Sequence, residues 1–309
     1  MIHRRMSTAR SGTLALGVAA TATARRCALA LALGVAAMLM AGPAVRAQQA
    51  ATPAQPVAAP QPGAFAPPVD AAAEQPSLLD AVVARKQLRI GLPGDYKPFG
   101  LRDAATGTFS GIDVDLTTGL AKALGAEPVY VKTSWSTLLA DFGAGKFDMV
   151  AGGVSITLDR QRAGFFSIPT DLDGKAAIAR CADVDRLGSL AAIDRPDVRV
   201  VVNPGGTNER FDRANLKQAP IRLFPDNTAI FREVAEGRAD VMITDGVETR
   251  LQQKLNPGLC AIHPDRPFDR AEKGWLLPRD LAFKLFVDQY IHIQQLNGSY
   301  AAIVAKWLD

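Results

Sequence analysis

From residue 77 onward, short apolar runs alternate with stretches whose apolar residues recur at helical spacing. The runs at 87–92, 128–132, 147–152, 198–203, 221–224 and 239–243 read as strands. Between them, 113–124, 136–142, 207–216 and 228–236 carry the spacing of amphipathic helices. This βαβα order predicts an α/β protein of parallel-rich sheets flanked by helices, binding ligands at the carboxyl ends of its strands. The rhythm breaks near 168–173 and again near 266–273. Two breaks in one chain predict one lobe inserted into another, joined by a two-segment hinge. Lobe 1 would span 77–172 with 274–309, and lobe 2 would span 173–273. Helices at 281–296 and 300–307, parted by the turn pair Asn297-Gly298, close the chain.

Upstream the pattern changes twice. Arg25 and Arg26 precede an apolar stretch, 27–40, followed by Gly42, Pro43 and small residues up to Ala47. A basic region, a short apolar region and small residues before a cut predict a secretory signal over 1–47, with an uncleaved signal anchor as the other reading. The apolar stretch is short for a membrane span. Residues 48–76 are rich in Ala, Pro and Gln and read as a disordered spacer.

Charge follows from this division. The whole chain has 35 basic and 31 acidic residues, but 1–47 holds six arginines and no lysine or acid. The remainder carries 29 basic against 31 acidic residues, a net charge of −2, so the basic character of the sequence belongs to the signal. No nucleic-acid-binding surface is implied. Beyond the signal just two cysteines remain, Cys181 and Cys260, with two histidines, His263 and His292. An even pair in an oxidising compartment favours a disulfide, worth roughly 4 kcal/mol for a loop of about eighty residues on the chain-entropy model; two buried thiols are the alternative. No metal-ligand spacing, GxSxG, HExxH or complete phosphate loop occurs, so metal and triad chemistries find no support.

Several motifs carry a resemblance. GIDVD at 111–115, FDMVAGGVSIT at 147–157, Arg160, Phe166-Ser167, NGSY at 297–300 and Lys306-Trp307 resemble the type II periplasmic solute-binding proteins for polar amino acids. The match covers essentially all of 77–309. Within it, GDYKPF at 94–99, TSW at 133–135, NPGGTNE at 203–209, Asp226-Asn227, Thr244-Asp245 with Glu248, Glu272-Lys273 and LPRD at 277–280 resemble the cyclohexadienyl dehydratases, a catalytic offshoot of the same fold. Gly246-Val247, Ala176 and the long spacer depart from that pattern.

That resemblance implies a periplasmic enzyme of aromatic amino acid biosynthesis. It would convert prephenate to phenylpyruvate and arogenate to phenylalanine, needing neither cofactor nor metal. It also implies the roles of residues. Ser155 and Arg160 fall where the binding proteins hold a ligand carboxylate, and a guanidinium grips that group bidentately. Tyr96 and Trp135 match cleft aromatics, and Lys97 would add positive charge. Asp245 holds the ligand ammonium in amino-acid-binding relatives, and Glu248 falls at the position of the general acid.

The residues themselves leave choices open. Gly205-Gly206-Thr207 opens a helix whose free N–H groups suit an anion, while Thr207 is also an N-cap residue type. Asn203 would offer its amide to a carboxylate or tie the turn. Asp-x-x-Glu at 245–248 is a capping-box pattern as well as a pair of acids on one helix face. The rival function is a non-catalytic amino-acid-binding component of an ABC transporter; a sensing module is a weaker third. Either way the partner is a small molecule, with no nucleic acid and no stable membrane insertion after cleavage, and a homo-oligomer is compatible with all of it.

Overall fold

A computed structural model describes residues 77–309; the signal and spacer expected over 1–76 lie outside the described residues. Helix α1 (Leu78–Arg85) leads into β1 (Gln87–Leu92). Three short strands follow, β2 (Asp95–Tyr96), β3 (Gly100–Arg102) and β4 (Phe109–Ser110), forming a small antiparallel sheet. Next come α2 (Ile112–Ala123), β5 (Glu127–Lys132), α3 (Leu138–Gly143), β6 (Met149–Val150), α4 (Leu158–Gln161) and β7 (Phe165–Phe166). Strand β8 (Asp171–Asp173) then carries the chain into β9 (Lys175–Arg180).

The second region continues with α5 (Leu190–Ile193), β10 (Val200–Val202), α6 (Thr207–Asn215), β11 (Ile221–Leu223) and α7 (Ile230–Ala235). It ends with β12 (Val241–Asp245), α8 (Gly246–Leu255) and β13 (Leu259–Ile262). Strand β14 (Ala271–Lys273) returns the chain to β15 (Leu276–Leu277), α9 (Leu281–Leu296) and α10 (Ser299–Leu308). Among the described residues no helix is long and apolar enough to cross a membrane.

Two five-stranded sheets result, ordered β5-β1-β6-β15-β7 and β11-β10-β12-β9-β13. This is the two-lobed α/β arrangement expected, with one difference. In each sheet four strands run in one direction, and a single strand, β15 in the first and β9 in the second, runs antiparallel between its two neighbours. Strands β9 and β15 are the first elements after each crossing, which is why they enter against the direction of their neighbours. The crossing strands β8 and β14 pair with each other, Asp173 opposite Ala271 and Asp171 opposite Lys273, making a two-stranded hinge. Strand β9 escapes a periodicity reading because it is a buried run, half of it alanine, a residue depleted in strands.

Each sheet is buried between helices. Leu88, Ile90 and Leu92 of β1 pack with Leu116 and Leu120 of α2 and with Phe283, Val287 and Ile291 of α9. In the second sheet, Val200, Val241 and Ile243 face one cluster, while Val201 and Met242 face another with Ile230 and Phe231 of α7. Cys181 and Cys260 form a disulfide joining the end of β9 to β13.

Candidate active site

The site is assembled where loops of both sheets converge beside the hinge. In the first lobe, Asp113 of α2 accepts from the backbone N–H groups of Gly152 and Gly153 at 2.6 and 2.7 Å, and from Trp275 Nε1 at 3.0 Å. That buried carboxylate fixes the loop after β6, which accounts for the acid in GIDVD. A Cβ on Gly153, at φ 74°, would lie 2.5 Å from the Tyr96 ring, so only glycine lets loop and aromatic meet.

The loop delivers Ser155 and Arg160. Thr157 caps α4 by accepting from Arg160 N at 3.2 Å, and the Arg160 Nη1 donates to Ser155 O at 2.9 Å. The guanidinium lies 5.8 Å from the centre of the Trp135 ring. Burial, with Arg210 nearby, pulls its pKa down to about 10, so it remains charged at neutral pH. Arg160 is only 3% exposed, yet no carboxylate pairs with it among the described residues. A buried cation without a counter-charge is costly, and the arrangement suits an incoming anion.

Across from it, α6 begins after Gly205 and Gly206. Gly206 is the N-cap and makes no side-chain cap bond, so Thr207 stands at the first helical position and not at the cap. Its Oγ1 lies 3.5 Å from Ser155 Oγ across the cleft. Asn203 Oδ1 accepts from Asn208 Nδ2 at 3.4 Å. The close approach of the lobes is marked by Gly205, at φ 82°, where a Cβ would meet Ser136 Cα at 2.6 Å. Tyr96, Trp135, Ser155, Asn203, Thr207 and Asp245 line one cavity of about 20 Å³. Six expected residues thus come together, and Arg160 touches two of them. Lys97 does not join: it is exposed and lines a second cavity.

Asp245 and Glu248 occupy distinct settings at the start of α8. Asp245 accepts from Lys175 Nζ at 2.6 Å, from Lys273 Nζ and from the Tyr96 hydroxyl. Burial pushes its carboxyl up, but the two ammonium groups outweigh this and hold it well below the usual carboxylate range. Lys175 also donates to Asn208 Oδ1 at 2.5 Å and Thr207 Oγ1 at 3.1 Å, and Lys273 donates to Ser155 Oγ at 3.1 Å. These two buried lysines had no role in the sequence reading. One follows β8 and the other ends β14, so each crossing of the hinge supplies one. The available signal was a lysine opening an otherwise apolar strand, Lys175-Ala176-Ala177-Ile178.

No capping box forms at 245–248. The Asp245 side chain makes no cap bond, and Glu248 Oε2 accepts from Thr244 Oγ1 at 2.6 Å. Thr244 Oγ1 in turn accepts from Asn208 Nδ2 at 3.0 Å. Burial raises the Glu248 pKa to about 8, against the Thr244 bond and with help from the charges of Asp245 and Asp95. Glu248 therefore carries a proton at neutral pH. It lines the second cavity, about 320 Å³, with Asp95, Lys97, Thr228 and Phe231.

Comparison with known proteins places this geometry. The profile of the bacterial extracellular solute-binding proteins, family 3, matches residues 88–309. The chain belongs to this family. Among family members, it is 49% identical over 235 residues to a cyclohexadienyl dehydratase of Pseudomonas aeruginosa, covering 76% of this chain and 87% of that one. It is 28% identical to an L-cystine-binding protein of Escherichia coli, over 74% of this chain and 85% of the other. The crystal structure of an ancestral amino-acid-binding protein, a precursor of cyclohexadienyl dehydratase, superposes with a TM-score of 0.70 at 32% identity, covering 75% of this chain and all of that one. A family fold that holds solutes is thus common to binding proteins and to an enzyme, and side chains in the cleft must separate the two.

Proposed function

We propose that the protein is a cyclohexadienyl dehydratase acting on prephenate, and on arogenate, in a closed cleft between its lobes. One observation carries this reading: Glu248 is a buried carboxylic acid, protonated near neutrality, oriented by Thr244 and set beside a cationic anion site. A receptor gains nothing from such a group. An elimination that must turn hydroxide into water requires one.

Charge supports the substrate class. Arg160, Lys175 and Lys273 supply three positive charges, and Asp245 supplies one negative, leaving two positive charges at the site. Prephenate brings two carboxylates. Asp245 is largely occupied by the lysines and Tyr96, which leaves little of it for the ammonium of arogenate and favours the keto substrate.

In the proposed reaction, Arg160, Ser155, Thr207 and the free N–H groups of α6 hold the side-chain carboxylate, with Asn203 at the same end. Tyr96 and Trp135 cover the ring and exclude water. Glu248 gives its proton to the ring hydroxyl. The carbon–oxygen bond breaks, the ring carboxylate leaves as CO2, and the electron pair of that carbon–carbon bond completes the aromatic ring. Glu248 is then reprotonated from solvent. A cavity of about 20 Å³ has room for little more than a water molecule, so substrate enters as the lobes part about the β8–β14 ribbon. The β8–β14 pairing supports lobe limits of 77–172 with 274–309, and 173–273, and membership of an extracellular solute-binding family supports export to the periplasm by the 1–47 signal.

The test mixes purified protein with prephenate and follows phenylpyruvate. Product formation by the wild type is expected. Tight amino-acid binding with no product would overturn the enzyme reading in favour of a solute receptor.

A further inference from the structure

Two asparagines in the cavity wall take no part in the proposed reaction: Asn208, whose amide is engaged by Lys175, Asn203 and Thr244, and Asn227. Asn227 follows β11 in the second lobe, is 2% exposed and lines the cavity with Tyr96, Trp135 and Thr207. Its Nδ2 donates to Asp95 O, across the cleft, at 3.0 Å. That bond fixes which way the amide points, because a backbone carbonyl takes only the NH2 end. The other end, Oδ1, is buried and has no hydrogen-bond partner among the described residues. The turn around it is itself fixed, since Asp226 Oδ1 accepts from Thr228 N at 3.0 Å, Ala229 N at 3.1 Å and the Thr228 hydroxyl at 2.7 Å. Asn227 is therefore a rigid acceptor without a partner among the described residues, in a cavity whose one carboxylate, Asp245, is already engaged by two lysines and Tyr96.

Its place in the cleft is specific. Asp95, to which it is bonded, and Thr228, its chain neighbour, both line the cavity that contains Glu248. The Asn227–Asp95 bridge thus stands where the anion cavity meets the cavity of the acid. An acceptor there repels carboxylates and needs a donor. The prephenate dianion has a single O–H or N–H group, its ring hydroxyl.

We propose that Asn227 Oδ1 accepts a hydrogen bond from the ring hydroxyl of the substrate and holds that oxygen for protonation by Glu248, an inference that rests on the dehydratase reading above. With its own hydrogen directed at Asn227, the hydroxyl oxygen turns a lone pair to the acid. As the proton arrives the oxygen becomes water with partial positive charge, and the amide carbonyl stabilises it more strongly than it did the neutral hydroxyl. The interaction therefore strengthens at the transition state, and its loss lowers kcat more than it raises KM. Asn227 also latches the lobes through Asp95, and the two roles are separable because the product phenylpyruvate lacks the ring hydroxyl.

The experiment compares wild type with Asn227→Leu and Asn227→Ser, full chains confirmed as folded by thermal melting. It measures kcat and KM for prephenate and calorimetric affinity for phenylpyruvate. For both variants kcat should fall about 10- to 100-fold, the scale of a lost hydrogen bond to a substrate hydroxyl, with phenylpyruvate affinity changed by less than about threefold. Parallel loss of kcat and of phenylpyruvate affinity would reduce Asn227 to a latch and overturn the proposal, as would an unchanged kcat. Should the Asn227→Leu chain fail to fold, the Asn227→Ser chain gives the same two readings. Absence of turnover in the wild type would strike the dehydratase reading itself and is seen independently of either variant.

Discussion

Asp245 and Glu248 are three residues apart at the head of one helix, both fully buried, and their environments push their proton affinities in opposite directions. Asp245 faces the hinge, where Lys175 and Lys273 keep it ionised. Glu248 accepts from Thr244 and makes no ion pair among the described residues, and burial keeps it protonated. Burial alone disfavours the charge on both. What separates the two acids is the supply of counter-charge, and that supply comes from the hinge strands. One helix start can therefore serve as both an ionic anchor and a proton donor.

The largest effect should come from removing the donor. Glu248→Gln keeps shape and the Thr244 bond but has no acidic proton, so prephenate turnover should fall about 10²- to 10⁴-fold while phenylpyruvate binding persists. Normal turnover would end the general-acid reading. Asp245→Asn breaks the other side of the comparison by leaving two buried ammonium groups without a counter-charge. Denaturant unfolding should show a loss of roughly 3–5 kcal/mol, the range for breaking a buried ion pair. A change below about 1 kcal/mol would mean that the lysines find other partners.

A pH profile sharpens the contrast without mutation. Glu248 acts in its protonated form, so kcat should hold below about 8 and decline as pH rises through it. A decline centred near 4 to 5 would place Glu248 among ordinary solvated carboxyls.

The smallest expected effect concerns a third acid. Asp212 in α6 is buried, neither of its carboxylate oxygens has a hydrogen-bond partner among the described residues, and burial raises its pKa to about 8. Such a group binds its proton more tightly in the folded chain than in the unfolded one. Its contribution to stability is thus greatest below pH 4 and is lost as pH rises to about 8. Asp212→Asn should flatten that slope and raise stability at pH 8 to 9 by about 1–2 kcal/mol in chemical denaturation. An unchanged slope would show that Asp212 finds a partner.

Much of this was legible beforehand, and the rest was not for identifiable reasons. Strand 87–92 and helix 281–296 were readable from their apolar spacing because each buries one continuous face. Arg160, Trp135 and Thr207 were found through short local motifs. Lys175 and Lys273 were not, because their role exists only once two distant hinge strands converge on one carboxylate. The two-residue strands β2 and β7 are too short to show any period. The ambiguity between cap and acid at 248 could be resolved only by seeing what each side chain touches.

Gly205 carries a wider implication. Its α-carbon approaches Ser136 so closely that a single methyl group would collide with the opposite jaw. Such a methyl would act as a doorstop, leaving every ligand contact intact while shrinking the fraction of molecules that are shut. The apparent dissociation constant is the intrinsic one divided by that fraction, so a substitution touching no substrate atom would weaken every ligand by one common factor. Selectivity among ligands would stay the same, and the strength of the bite would become a quantity that evolution can tune at one position.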